Sequence, residues 1–124
     1  MEAIKDNVCV VDENDDTRSG ICKLLDAYGL SAHAHASAKE LLNEDYTHSR
    51  TGVIVLDSEM LGYNTSDVIK NLRDKGCDVP VVLMTNEPKS LQAQWSSKHG
   101  AVILKKPLNG VDFMKTIGCI LGTL

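Results

Sequence analysis

The chain has 124 residues, enough for one domain with a single hydrophobic core. Its hydrophobic fraction of 43% and charged fraction of 24% are ordinary for a globular protein, and its net charge of −4 argues against nucleic-acid binding by bulk charge. No apolar run is long enough to cross a membrane, and the N-terminus lacks the apolar segment of a signal peptide. We therefore expect a cytoplasmic domain that neither inserts into a membrane nor contacts nucleic acid directly.

The cysteines and two histidines raise the question of a metal site. The four cysteines stand at positions 9, 22, 77 and 119. They form no C-x-x-C pair, so a zinc site has little support, and Cys9, Cys22 and Cys119 are interpreted as small buried hydrophobes in a reducing compartment. His33 and His35 fall on one face of a short strand, a spacing that could hold a metal ion. Because no third ligand is evident nearby, we interpret both as edge-strand residues.

The first third of the chain predicts two strand–helix units. A strand over residues 7–11 precedes a helix with an apolar stripe at i, i+3, i+4, i+7 spacing, which Gly29 closes. A weak strand over residues 31–36, at the sheet edge, leads into a second helix opened by a capping box at residues 37–40. The stripe of the first helix consists of Ile21, Leu24, Leu25 and Tyr28.

The middle of the chain predicts two further strands around a helix. Residues 43–51 are polar and predict a loop. Residues 53–57 are four apolar residues that run into a carboxylate, which is typical of a parallel strand buried on both faces. After a loop, a third helix ends at Gly76, and a fourth strand covers residues 79–84 with a proline near its start, where it is tolerated. The apolar positions of the third helix are Val68, Ile69 and Leu72.

The last third predicts two helices around one strand. Residues 88–99 form a mostly polar helix that turns Leu91 and Trp95 inward, so it should be the least tightly packed helix. Residues 101–104 form the fifth strand, and residues 108–121 form the fifth helix. Parallel strands joined by right-handed helical crossovers predict a (βα)₅ three-layer α/β/α sandwich. The apolar stripe of the last helix consists of Val111, Met114, Ile117 and Leu121.

Polar side chains collect where the predicted strands end. Because the carboxyl ends of strands in a doubly wound sheet lie side by side, these side chains should share one pocket. Three carboxylates in one pocket need a cation, and hard oxygen ligands suit Mg²⁺. A lysine and a hydroxyl beside them suit an anionic ligand, so the set predicts phosphoryl transfer to an aspartate. The strand-end residues are Asp12, Glu13, Asp57, Thr85 and Lys106.

Short motifs occur in a set order along the chain: Val10-Val11-Asp12-Glu13, Arg18, Val55-Leu56-Asp57-x-x-Met60, Arg73, Pro80-Val81, Met84-Thr85 and Lys106-Pro107. Together they resemble the receiver domains of bacterial two-component response regulators, of the chemotaxis-regulator type. The resemblance covers nearly the whole chain. It implies a flavodoxin-like doubly wound parallel sheet with strand order 2-1-3-4-5, and one receiver domain over residues 1–124, either stand-alone or excised from a longer regulator or hybrid kinase.

The resemblance implies a role for each pocket residue. Asp57 would accept a phosphoryl group from the phosphohistidine of a sensor histidine kinase or a histidine phosphotransfer protein, and Lys106 would contact a phosphoryl oxygen. Asp12, Glu13 and Asp57 would hold Mg²⁺, with the backbone carbonyl of Glu59 completing the protein ligands. The domain would assist only its own phosphorylation and dephosphorylation, and would not otherwise be an enzyme.

The resemblance also implies how the signal leaves the site. Thr85 would bond a phosphoryl oxygen and move inward, and Ile103 stands where the family's aromatic switch residue would sit. The face formed by the fourth helix, fifth strand and fifth helix would then bind an output domain, a partner protein or a second copy. Pro107 would follow a cis peptide bond. Of the two adjacent lysines, the Lys106–Pro107 pair favours Lys106 over Lys105 for the site.

Several residues depart from the family pattern and support an alternative. Glu13 replaces an aspartate and adds a methylene, and Leu61 replaces a proline. Thr65 stands in place of a glycine, where a positive φ would disfavour it, and Asn86 would narrow access to the phosphoryl group. Ile103 lacks the usual aromatic ring. All of these departures except Leu61 favour, as the alternative, a pseudo-receiver that acts as a phosphorylation-independent protein-interaction module.

Overall fold

The chain folds into a parallel sheet with helices on both faces. The computed structural model describes residues 6–45 and 50–123. The strands in these residues are β1 (Asn7–Val11), β2 (Ser31–His35), β3 (Thr51–Asp57), β4 (Val81–Thr85) and β5 (Val102–Lys105). The helices are α1 (Asp15–Ala27), α2 (Ala38–Leu42), α3 (Thr65–Asp74), α4 (Leu91–Lys98) and α5 (Gly110–Leu121). The strand order is β2-β1-β3-β4-β5 with parallel pairing throughout, which confirms the predicted flavodoxin-like (βα)₅ sandwich.

Most element boundaries lie within two residues of the predicted ones. Strand β3 begins earlier than predicted, at Thr51, so the C-terminal end of the predicted loop over residues 43–51 is strand. Residues 46–49 of that loop lie outside the described residues. Pro80 immediately precedes β4 instead of standing inside it. Every residue of β4 therefore has a backbone N–H for the hydrogen-bond ladder.

Each helix in the described part of the chain starts at a polar N-cap. The side chain of this residue accepts a hydrogen bond from a backbone N–H of the first turn, which would otherwise lack a partner. At α2, Ser37 accepts from Glu40 N at 3.2 Å, as the predicted capping box requires. None of these helices combines the length and apolarity that crossing a bilayer would need. The five N-cap residues are Asn14, Ser37, Asn64, Ser90 and Asn109.

The three central strands alternate between two hydrophobic cores, one on each face of the sheet. This alternation follows from the period-2 geometry of a strand and confirms that β3 is buried on both sides. One core includes Cys9, Val11, Ile54, Leu56 and Leu83 with residues of α2 and α3. The other includes Val8, Val10, Val53, Val55 and Val82 with residues of α1 and α5.

Three apolar residues that the sequence placed on inward stripes are exposed. Tyr28, 60% exposed, is the C-cap of α1, beyond the last helical residue, and Gly29 with its positive φ follows immediately. Leu91, 84% exposed, is the first residue of α4, a helix in which only Ala93 and Ser96 are buried, so α4 is sparsely packed as predicted. Val111 is 59% exposed, whereas Phe113, two residues later on α5, is buried in its place. The buried positions of α5 are Phe113, Met114, Ile117 and Gly118.

The four cysteines are all thiols, but their burial differs from the prediction at two positions. Cys9 is buried as expected and Cys22 is half-buried. Cys119 is exposed, because it lies on α5 directly after the two buried positions Ile117 and Gly118 and points to the other side of the helix. Cys77, for which no burial was predicted, is buried.

Candidate functional site

Residues at the ends of three strands, β1, β3 and β5, meet in one pocket of about 400 Å³, whereas Thr85 at the end of β4 does not line it. The pocket is polar at its base, where Asp12 and Asp57 are only 2% and 4% exposed. Two buried carboxylates side by side repel one another and lose hydration, so the pocket is built for positive charge. Its lining residues are Asp12, Glu13, Asn14, Thr17, Asp57, Glu59 and Lys106.

Asp57 is the last residue of β3, and its position is determined by a strand that is packed on both faces. Its Oδ1 atom accepts a hydrogen bond from the Lys106 ammonium group and one of 3.3 Å from the backbone N–H of Glu59. The Lys106 side chain is 21% exposed, so its charge lies partly inside the pocket. Asp57 is therefore a buried carboxylate held against the cationic side chain of Lys106.

Asp12 offers the pocket an oxygen without a hydrogen-bond partner among the described residues. Its Oδ1 accepts from Asn14 N at 2.9 Å, whereas Oδ2 is buried and makes no hydrogen bond within the described residues. Burial raises the pKa of Asp12 above its ordinary value of 3.8; the hydrogen bond from Asn14 opposes this rise, and the charge of Asp57 adds to it. Sequence reasoning did not single out Asn14, although an asparagine before two aspartates is a typical N-cap signal.

Glu13 and Glu59 stand at the exposed rim and connect the loops around the pocket. Glu13 Oε1 accepts a hydrogen bond of 3.0 Å from the backbone N–H of Leu61, which ties the end of β1 to the loop after β3. Asn86 Nδ2 donates to Glu59 Oε1 at 2.7 Å, so the asparagine after β4 lies against the opposite rim. Both glutamate side chains therefore bond to the loops that frame the pocket.

Thr85 is buried at the end of β4, and its hydroxyl is engaged away from Asp57. Its Oγ1 accepts from Glu87 N at 3.0 Å, and its carbonyl accepts from Lys106 N at 2.8 Å. The peptide bond between Lys106 and Pro107 is cis, as the resemblance implied. Lys105 is exposed, so Lys106 is the lysine of this pair that enters the pocket. Ile103 is half-buried against the core beneath α2 and α3.

The loop between β3 and α3 accommodates Thr65 without strain. Thr65 is the first residue of α3, and no non-glycine residue in the described ranges has a positive φ. The positive φ of this loop, 78°, occurs at Gly62 instead. The backbone N–H of Thr65 donates to Gln92 Oε1 at 3.0 Å, which connects α3 to α4. The residue of this loop that needs a positive φ is therefore Gly62, and threonine is compatible with the helical position 65.

The donor set at the base of the pocket fits a hard divalent cation. Asp12 Oδ2 is a buried carboxylate oxygen without a hydrogen bond from the described protein atoms, and Asp57 lies close enough to influence its pKa. Carboxylate and carbonyl oxygens are the ligands that Mg²⁺ takes in proteins, usually together with water and phosphate oxygens. An anionic group bound beside Lys106 would complete the balance of charge.

The sequence matches a described family and several curated proteins. The family model "Response regulator receiver domain" matches residues 8–118. The transcriptional regulatory protein FixJ of Azorhizobium caulinodans is 30% identical over 116 residues, which are 93% of this chain and 54% of that protein. The transcriptional regulatory protein TdiR of Thauera aromatica is 25% identical over 92% of this chain and 50% of that protein. The chain thus spans about half the length of these curated relatives.

Solved structures show the same architecture. A response regulator receiver protein from Burkholderia phymatum has a TM-score of 0.78 and 30% identity, over 95% of this chain and 96% of that one. The crystal structure of FixJ-N has a TM-score of 0.83 and 24% identity, over 100% of this chain and 98% of that one. These matches cover the strands whose ends form the pocket.

Proposed function

The chain belongs to the family of response regulator receiver domains, and on this premise we propose that it is a phosphoacceptor switch. Asp57 accepts a phosphoryl group from the phosphohistidine of a sensor histidine kinase or a histidine phosphotransfer protein. The observation that carries the proposal is the buried contact of Asp57 with Lys106 next to the Asp12 carboxylate. This combination provides a nucleophile, a cationic contact for phosphoryl oxygens and a carboxylate for a metal ion.

The proposed reaction transfers the phosphoryl group from nitrogen to oxygen. A carboxylate oxygen of Asp57 attacks phosphorus while the P–N bond breaks. The electron pair of the P–N bond leaves with the imidazole, and the imidazole takes up a proton from solvent. Lys106 holds a phosphoryl oxygen and stabilises its negative charge. When bound, Mg²⁺ supplies further positive charge to the phosphoryl oxygens. We assign the Mg²⁺ ligands as Asp12, Glu13 and Asp57, together with the backbone carbonyl of Glu59.

We propose that Thr85 carries the change outward. A phosphoryl group on Asp57 offers acceptor oxygens, whereas the Thr85 hydroxyl oxygen now accepts from Glu87 N. An inward rotation of Thr85 would release that N–H and loosen the start of the loop to α4. The output face is α4, β5 and α5, which in this chain exposes Leu91 and Val102 to a partner protein, an output domain or a second copy. Ile103 lies behind this face, at the position where the family's aromatic switch residue would sit.

The phosphodonor needs a docking surface beside the pocket. A mainly apolar cleft of about 500 Å³ between α1 and α5 adjoins the acidic pocket, and Lys106 lines both. Ile21, Leu24 and Phe113 contribute apolar surface to this cleft. A helical donor protein that covers it would present its phosphohistidine to Asp57.

The test is phosphorylation by a small donor. Incubation with acetyl phosphate and Mg²⁺ should add the mass of one phosphoryl group to the intact protein and none to Asp57→Asn. Asp16→Asn, which changes an exposed aspartate of α1, is the matched control and should be modified like the unchanged protein. A mass that does not change at saturating donor, or equal modification of Asp57→Asn, would contradict the proposal.

A second candidate is the phosphorylation-independent interaction module. It is favoured by the bonds that engage two rim carboxylates, from Leu61 N to Glu13 and from Asn86 to Glu59. This candidate predicts that millimolar Mg²⁺ leaves the melting temperature unchanged. The phosphoacceptor predicts a rise, because a ligand that binds only the native state stabilises it, and predicts that the rise is lost in Asp57→Asn.

A further inference from the structure

A cluster of thiol, imidazole and carboxylate groups lies apart from the acidic pocket, at the β1–β2 edge. Cys9 is paired in register with His33 in the parallel ladder, so their side chains leave the sheet on the same face. His35 lies two residues further along β2 and shares that face. One ligand atom from each of the three residues lies within 4.8 Å of the others. Tertiary pairing thus supplies the third ligand that the sequence spacing of the histidines lacked.

Glu44 places a carboxylate against both imidazoles. Its Oε1 is 2.7 Å from His35 Nε2, and its Oε2 is 3.5 Å from His33 Nε2. The first contact is an ion-pair distance, but His35 Nε2 is buried and forms no geometrically sound hydrogen bond within the described residues. Polar atoms this deeply buried normally have a well-aligned partner, so the Glu44 carboxylate is close to this nitrogen without being optimally bonded to it.

We propose that Cys9, His33, His35 and Glu44 bind a zinc ion. One thiolate, two imidazoles and one carboxylate are the ligand types that Zn²⁺ takes, in the number that a tetrahedral site requires. In such a site the bonds are about 2.3 Å to sulfur and about 2.0 Å to nitrogen, so ligand atoms lie roughly 3.5 Å apart. The ligand atoms of Cys9, His33 and His35 would close by about 1 Å, and the Glu44 carboxylate, which contacts the two histidines but is outside the group of three within 4.8 Å, would move toward Cys9. Binding replaces the Cys9 thiol proton, which is released to solvent.

The surroundings distinguish this site from the magnesium pocket. Cys9 is fully buried in the core beneath α2, and the His35 side chain is only 13% exposed, so a bound ion would be largely shielded from water. The His33 side chain is 37% exposed and provides an entry path. Thiolate and imidazole ligands favour zinc over Mg²⁺, whereas the acidic pocket offers only oxygen ligands. The proposal is therefore independent of whether Asp57 is phosphorylated.

Cobalt is the spectroscopic probe for this site. The reduced protein is titrated with Co²⁺ in excess Mg²⁺, which competes at the acidic pocket. One equivalent should produce a thiolate-to-cobalt charge-transfer band and the visible bands of tetrahedral cobalt, and Zn²⁺ should displace both. Asp57→Asn should titrate like the unchanged protein. The absence of a charge-transfer band would overturn the proposal.

Variants assign the ligands. Cys9→Ser should abolish the charge-transfer band, and His33→Gln or His35→Gln should weaken zinc binding at least about 100-fold, the upper end of the loss seen when only a supporting residue is removed. Glu44→Gln should keep the band and bind about 10-fold more weakly. Cys22→Ser, Cys119→Ser and His99→Gln, which lie outside the cluster, are matched controls and should bind as the unchanged protein does.

If Cys9→Ser fails to fold, His33→Gln still tests whether the proposed residues bind zinc. Its side chain is more than a third exposed, so the substitution should leave cooperative thermal unfolding in place. Zinc affinity that is unchanged in a folded His33→Gln protein would place the metal elsewhere and overturn the proposal. Affinity that falls in this variant and stays normal in His99→Gln supports the assigned ligands.

Discussion

The central strands and the edge strands of the sheet contribute to function in different ways. β1, β3 and β4 are buried almost throughout, and at or just past their ends they hold Asp12, Asp57 and Thr85 in the interior. β2 and β5 are partly exposed. Lys106 follows β5, and the two histidines lie on β2. Groups whose position must not vary thus stand on strands packed on both faces, while the Lys106 ammonium group and the two imidazoles approach from the edges.

This difference suggests a division of labour. A side chain at the end of a doubly buried strand is oriented by the packing of the whole core, so its geometry resists local change. A side chain from an edge strand reaches its target along a flexible stem and can readjust when a ligand binds. The Lys106 contact with Asp57 is of this second kind.

The largest expected effect comes from removing the contact between Lys106, which follows edge strand β5, and Asp57 on central strand β3. Lys106→Met should slow phosphorylation of Asp57 by acetyl phosphate about 100-fold, the usual loss when one stabilising donor is removed from a developing charge. Lys105→Met, one residue earlier and exposed, should change the rate little. The rates are measured by intact mass against time at fixed Mg²⁺. Equal rates for the two variants would show that Lys106 does not act on the phosphoryl group.

A second prediction compares two valines that are register partners on a central and an edge strand. Val82 on β4 is fully buried and pairs with Val102 on β5, which is 40% exposed. Val82→Ala should lower the free energy of unfolding by about 2 kcal/mol, from lost burial and the cavity left behind. Val102→Ala should stay within about 0.5 kcal/mol. Urea unfolding measures both, and similar losses would refute the proposed contrast between central and edge strands.

The smallest predicted effect concerns the Asp12 carboxylate, whose Oδ2 makes no hydrogen bond within the described residues. Because its pKa is raised above 3.8 in the folded state, the folded protein holds this proton more tightly than the unfolded chain does, and stability falls as pH rises through the folded pKa. Without divalent cations, Asp12→Asn should therefore stabilise the protein at pH 7 by about 1 kcal/mol, a common size for a single substitution. The gain should shrink as the pH is lowered toward 3.8.

Urea unfolding in a chelator, at several pH values, checks this prediction. Asp16→Asn, which removes an exposed charge from the same region, is the control and should show no comparable pH dependence. Added Mg²⁺ should stabilise the unchanged protein and not Asp12→Asn. A destabilised Asp12→Asn protein at pH 7 would mean that the ionised carboxylate is already compensated in the metal-free fold.

Much of the fold and the pocket could be predicted from sequence because the signals are local. A run such as residues 53–57 requires burial on both faces, and the topology of parallel strands then brings Asp12, Asp57 and Lys106 to one edge. The predictions failed where the rotation or the end of a helix decides exposure, as at Leu91 and Val111. A helical period defines a stripe, but packing against the sheet selects which residues of that stripe are covered.

The sequence by itself determined the order of strands and helices, and the set of polar residues at the strand ends. Only the tertiary structure decided the partners of those residues, such as the bond from Leu61 N to Glu13 and the bond from Asn86 to Glu59. It also placed Cys9 beside His33, which is 24 positions later in the chain and its partner in the β1–β2 register. Register depends on how both strands pack against the rest of the core, and no local pattern encodes it.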